Sequence, residues 1–178
     1  MANVLIVVDY QNDFVDGALG FEGAELLSGG IVNHVNDALK QGDPVYLTLD
    51  THFEDYMDTA EGKRLPIPHC IKGTKGHELY GALASYADAP GVTVIEKPTF
   101  GSVDLAKAIL DAHGKGPHTF HLMGLVTNIC VLSNAALLKA AFPESEFIIH
   151  GDLCGGGDKA LHEKGLDVME GLLMTVIR

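Results

Sequence analysis

Apolar and polar residues fall along this chain in blocks of two kinds that take turns. Short runs rich in β-branched residues occur at Val4–Val8, Val45–Asp50, Val92–Glu96, Thr119–Val126, Glu146–His150 and Leu173–Ile177. Each reads as a strand, and the unbroken run Val4–Val8 suits one buried on both faces. Between them lie segments with apolar residues at helical spacing, such as Ile31, Val35, Ala38 and Leu39 within Ile31–Lys40. The same period predicts helices over Glu78–Ala87, Val103–His113, Thr127–Phe142 and Asp158–Gly171, with Pro143 stopping the third of these. Ser102 or Asp104 is placed to cap Val103–His113, and Gln41-Gly42 to end the first helix. Strands alternating with helices predict an α/β three-layer sandwich, a central mostly parallel sheet of about six strands covered by helices on both faces. Thr51–Gly76 stands apart as a long irregular stretch holding Pro66, Pro68 and many polar residues, and such a loop is uncommon unless it is functional.

Composition narrows the classes of function. A chain of 178 residues with 47% hydrophobic residues suits one folded domain over 1–178 and excludes disorder. Its formal charge of −12 disfavours nucleic acid and anionic membrane surfaces as partners. No apolar run approaches the ~20 residues of a membrane span. Met1-Ala2-Asn3 leads into the first strand without a secretory pattern, and the odd set Cys70, Cys130 and Cys154 reads as reduced thiols, so a cytoplasmic setting is expected.

Four of the predicted strands deliver a reactive residue at or just past their carboxyl ends: Asp9, Asp50, Lys97 and, in the turn after Thr119–Val126, Cys130. In an open parallel sheet those ends share one rim, where ligands bind. Cys130 falls at a helix start, where free N–H groups and the helix dipole are expected to lower its pKa and to receive an oxyanion. By itself it is better read as a small buried hydrophobe beside Val131 and Leu132, the reading given to Cys70 and Cys154. Asp9 as proton carrier and Lys97 as a cation between carboxylate and thiol shift the balance towards an activated nucleophile. Asp50-Thr51-His52 leaves its strand extended, so its first and third side chains project to one side; His69 follows Pro66-Ile67-Pro68, and Glu61 lies between. Two His with carboxylate suit Zn²⁺, with Mn²⁺ or Fe²⁺ as alternatives, while nine His in the chain leave a merely wet polar loop open. Gly155-Gly156-Gly157-Asp158-Lys159 lacks the phosphate-loop pattern and reads as a turn before the last helix.

The order Asp9 … Asp50-x-His52 … His69 … Lys97 … Gly124-x-x-Thr127-x-x-Cys130 resembles the isochorismatase-like cysteine hydrolases, and within them the nicotinamidases, over nearly the whole chain. The resemblance implies a catalytic triad of Asp9, Lys97 and Cys130. It implies a metal held by Asp50, His52 and His69, with Glu61 as an additional ligand. It further implies a non-proline cis peptide at Val126–Thr127, an oxyanion hole formed by the Val126 and Cys130 N–H groups, and ring walls from Phe14, Leu19 and Phe100. The activity implied is hydrolysis of nicotinamide, a small aromatic amide, and by analogy a homo-oligomer. Asn128 stands where such sequences often carry Asp, and Phe53 follows His52 where Trp is frequent. Another small amide as substrate, or a non-catalytic metal-binding domain on the same scaffold, are the competing readings.

Overall fold

The computed structural model describes all 178 residues. Six strands form one sheet in the order β3-β2-β1-β4-β5-β6, every neighbouring pair parallel: β1 Asn3–Val8, β2 Val45–Asp50, β3 Val92–Lys97, β4 Thr119–Leu125, β5 Glu146–Gly155 and β6 Thr175–Ile177. The helices are α1 Asn12–Val15, α2 Ser28–Gln41, α3 Val103–His113, α4 Leu132–Ala141 and α5 Lys159–Gly171.

β1 explains the layering. Its side chains alternate between faces, and both faces are covered. Val4, Ile6 and Val8 join Leu105 and Ile109 of α3, Ala135 and Leu138 of α4 and Leu166 and Met169 of α5 in one buried cluster. Leu5 and Val7 join Ile31 and Val35 of α2, Leu47 and Leu83 in the other. No helix is long and apolar enough to cross a membrane.

Helix ends follow the sequence signals. Ser102 accepts a hydrogen bond from the Leu105 N–H at the start of α3, Asp158 accepts from Ala160 and Leu161 at the start of α5, and Gly42 ends α2 in the left-handed region at φ 76. Elsewhere the chain departs from the simple pattern. The helix expected over Glu78–Ala87 is cut to one 3₁₀ segment, Gly81–Tyr86, because Leu79 is drawn into a bridge with Gln11 and the backbone at Glu78 and Tyr80 is extended. β5 continues past His150 to Gly155, its register on β4 shifting between Leu122 and Gly124, and β6 starts only at Thr175 because Leu173 adopts φ 63. The helix expected from Thr127 opens with a wide π turn over Thr127–Val131, in which the Val131 N–H reaches back to the Val126 carbonyl, and α4 follows. The non-proline cis peptide joins Leu125 to Val126, one bond earlier than expected.

Strand order reverses direction at β1, between β2 on one side and β4 on the other. This is the switch point at which doubly wound sheets open a crevice beyond their carboxyl ends. Asp9 leaves the sheet on one side of that crevice and the Cys130 turn on the other.

Away from the rim, His121 of β4 and His150 of β5 share a hydrogen bond at 3.0 Å, and the His34 ring of α2 packs 4.7 Å from His150, centroid to centroid. Burial, then His34 and His121, pull the His150 pKa from 6.5 to about 4, with Asp152 opposing. His150 is therefore neutral in the fold and takes up a proton on unfolding at mildly acid pH, so its stabilising contribution is complete above pH 6.5 and is lost as pH falls towards 4. Melting temperatures measured across that interval should fall more steeply in the wild type than in His150→Leu. Parallel curves would exclude this histidine as an acid liability.

Candidate active site

Strand register brings the site together. β1 and β2 pair Val8 with Thr48, so Asp9, one residue past β1, meets the Thr48 side chain: Thr48 Oγ1 donates to Asp9 Oδ1 at 2.6 Å. β2 and β3 pair Asp50 with Lys97 at their last residues. The Lys97 ammonium consequently reaches three acidic groups at once. Nζ lies 2.6 Å from Asp9 Oδ2, 3.6 Å from Asp50 Oδ1 and 3.7 Å from Cys130 Sγ, and it donates to the Thr99 carbonyl at 3.0 Å. Asp9 and Lys97 are sealed from solvent, and Cys130 is only 4% exposed. Beyond its ion pair with Lys97, Asp9 Oδ2 has no hydrogen-bond partner, which leaves this oxygen available for a proton.

Burial sets the titration of these groups. It pushes the Asp9 carboxyl above the usual carboxylate range, with the Asp50 charge adding to the rise and the Lys97 charge only partly opposing it. Burial also raises the Cys130 thiol well above its ordinary value, with Asp9 next in weight, against the opposing pull of Lys97. The low thiol pKa expected from a helix start gives way to a raised one: loss of solvation and the Asp9 charge outweigh the Lys97 ammonium. The resting sulfur holds its proton beside a carboxylate able to take it.

The four candidate metal ligands converge as well. Asp50 Oδ2 stands 3.1 Å from His52 Nε2 and 3.3 Å from His69 Nε2, and Glu61 Oε1 lies 3.7 Å from both rings' Nε2 atoms. Ligands held ~2.0–2.2 Å from a tetrahedral cation are separated by roughly 3.3–3.6 Å, a spacing that the observed gaps of 3.1 to 3.7 Å bracket. His69 Nδ1 donates to the Ile67 carbonyl at 2.8 Å, which fixes the ring with its Nε2 turned to the Asp50 and Glu61 oxygens. Glu61 Oε1 is buried with no hydrogen-bond partner. Two imidazole nitrogens gathered on one carboxylate and an orphaned carboxylate oxygen beside them fit a divalent cation, and the residues present can hold one. Burial works against the Asp50 charge, but hydrogen bonds from His52 and His69, with Lys97 nearby, bring its pKa below the ordinary value.

A cavity of about 260 Å³ joins the two clusters, with Cys130 on one side and Asp50, Glu61 and His69 on another. Phe14, Leu19 and Phe100 line it as expected, and so do Val126, Leu65 and Ile129. That volume lies below the range of drug-sized ligands and suits a single ring. Phe14 also meets the His69 ring edge to face at 5.6 Å. The Val126 N–H donates to no backbone carbonyl, which leaves it free for an oxyanion.

Supporting residues escaped the sequence reading. Gln11 is fully buried and clamps Asp50 at both ends: its Oε1 accepts the Asp50 N–H at 2.8 Å, and its Nε2 donates to the Asp50 carbonyl at 2.9 Å and the His77 carbonyl at 2.8 Å. Thr48 could have been found, as a polar residue two places before Asp50 in an apolar strand; Leu65 and Ile129 carry no such signal.

A buried acid, ammonium and thiol at the switch point of a doubly wound sheet define an enzyme of the hydrolase class. The chain belongs to the isochorismatase family, whose domain model matches residues 3–178. A relative from Bacillus subtilis (strain 168), called uncharacterized isochorismatase family protein PncA, is 35% identical over 142 residues, 76% of this chain and 77% of that protein. The crystal structure of nicotinamidase/pyrazinamidase PncA from Bacillus subtilis superimposes with a TM-score of 0.88 at 30% identity, covering 100% of both chains. That of pyrazinamidase/nicotinamidase from Streptococcus mutans UA159 does so with a TM-score of 0.86 at 28% identity, over 99% of this chain and 100% of that one.

Gln11→Leu keeps the volume of the buried clamp but strands three backbone groups, each costing about 1–3 kcal/mol when left unpaired. Urea unfolding should show a lower midpoint with an unchanged slope; a wild-type midpoint would mean that the clamp contributes nothing.

Proposed function

We propose that this protein hydrolyses nicotinamide to nicotinate and ammonia through a thioester on Cys130. The observation that carries the reading is the Lys97 ammonium held between Asp9 and Cys130, with Cys130 itself lining a ring-sized cavity. The names of the Bacillus and Streptococcus proteins support the choice of amide.

Phe14, Leu19 and Phe100 clasp the ring, so the carboxamide meets the sulfur with its motional freedom already removed. The Cys130 thiol passes its proton to Asp9 as the sulfur attacks the carbonyl carbon. Lys97 offsets the charge on both partners throughout, at no cost in solvent rearrangement because it is already buried in place. The Val126 and Cys130 N–H groups receive the oxyanion. Asp9 returns the proton to the departing amine, which leaves as ammonia. Water then adds to the thioester with Asp9 accepting its proton, the C–S bond breaks, and the thiol regains its hydrogen. A divalent cation held by Asp50, His52, His69 and Glu61, Zn²⁺ by the chemistry of the donors, would supply a Lewis acid that anchors the ring nitrogen. Pyrazinamide offers a similar ring nitrogen and is expected to be hydrolysed as well.

Ammonia release from nicotinamide by the purified protein, with metal assayed in the same sample, tests the proposal, and two variants separate the roles. Cys130→Ala should abolish turnover with fold and metal content unchanged, whereas His52→Ala should lose metal and raise KM strongly. Substantial nicotinamide hydrolysis by Cys130→Ala would reject the nucleophile.

A further inference from the structure

One buried side chain ties together parts of the site that come from separate stretches of chain. Asn134, in the Ala- and Leu-rich helix α4, is 0% exposed. Its Nδ2 donates to the Cys130 carbonyl at 2.8 Å and to the Phe100 carbonyl at 3.1 Å, while its Oδ1 accepts the Ser102 N–H at 2.9 Å. Both donor hydrogens and the acceptor are used, and all three partners are backbone groups. No other polar residue of comparable size supplies two donors and an acceptor from a planar end at this length.

Those partners flank the chemistry. Cys130 lies one turn before Asn134. Phe100 and Ser102 lie in the loop between Lys97 and α3, which Lys97 itself grips through the Thr99 carbonyl. The loop lies flush on α4: a Cβ at Gly101 would stand 2.6 Å from Leu137 Cδ1 and 3.2 Å from the Ser133 carbonyl oxygen. Phe100 is 44% exposed, so packing alone does not hold this ring wall in place. The 3.7 Å gap between Lys97 Nζ and Cys130 Sγ, and the place of the Phe100 ring, therefore depend on how the loop is pinned to the nucleophile's own helix.

We propose that Asn134 is a positioning residue for the reaction, setting the Phe100 wall and the Lys97 ammonium relative to the Cys130 sulfur. The inference rests on the reading of Cys130 as nucleophile. Loss of the amide lets the loop drift. Phe100 then grips the ring less well, which raises KM, and Lys97 sits off the sulfur, which lowers kcat. A displacement near 1 Å at such a distance costs roughly 10²-fold in rate.

The test uses Asn134→Asp, which keeps the size and the acceptor for Ser102 but loses both donors, together with Gly101→Ala, which presses the same loop off α4 while leaving the amide in place. Both are assayed for kcat and KM on nicotinamide, for the rate of iodoacetamide labelling of Cys130 at fixed pH, and for melting temperature. Expected are a ~10²-fold fall in kcat/KM for Asn134→Asp, shared between kcat and KM, slower Cys130 labelling, and a raised KM for Gly101→Ala. If Asn134→Asp proves too unstable to assay, Gly101→Ala decides alone, because moving the loop strains the two bonds that Asn134 makes on either side of residue 101: a raised KM upholds the proposal and unchanged kcat and KM overturn it. Lower melting temperatures with unchanged kcat, KM and labelling would reduce Asn134 to a structural residue and overturn the proposal. Labelling needs no amide substrate, so slower labelling in a protein whose wild type leaves nicotinamide intact would uphold the positioning role and sink the substrate reading instead.

Discussion

A lysine ammonium buried among two carboxylates and a thiol is the constraint around which this molecule is arranged. Taking any of these charges out of water is costly unless its partners are in place. Lys97 answers Asp9 and Asp50 together, which allows the rim to carry two ionisable carboxyls within reach of one another. It thereby joins a proton-transfer centre to a cation cage: Asp50 contacts Lys97 through one oxygen and the His52 and His69 rings through the other. Neither cluster can be rearranged without disturbing its neighbour.

The fold meets this constraint by register. Parallel pairing sets Thr48 beside Val8 and Asp50 beside Lys97, so each polar group arrives at the rim as the last or next residue of an otherwise apolar strand. The switch point between β1 and β4 leaves space for Cys130 to enter from the far side. Burial then does what exposure could not. It raises the proton affinities of Asp9 and Cys130 together, which keeps the thiol protonated at rest beside its proton acceptor.

Much of this was legible in the order of residues. Runs such as Val4–Val8 are short, apolar and β-branched, and their period is robust because both sheet faces are filled. The reactive residues stood out as polar interruptions at strand ends, and Asp50, His52 and His69 were recognisable by type and by the extended geometry after a strand. Less could be read where tertiary contact overrides local preference. Leu79 belongs to a helical pattern but is claimed by Gln11, and β5 runs through a polar Asp152 because β4 remains alongside it. The thiol's pKa was misjudged because helix position is visible in sequence and depth of burial is not. Gln11 and Asn134 were invisible for the same reason: an amide clamp is defined by backbone groups that folding brings together.

The central claim, that one buried cation holds the rim together, is tested most directly by urea unfolding of Lys97→Met at pH 8, with Asp9→Asn/Lys97→Met beside it. Removing the ammonium alone should cost about 3–5 kcal/mol by leaving carboxylates unpaired, and neutralising Asp9 as well should recover part of that loss. A Lys97→Met protein as stable as the wild type would contradict the account.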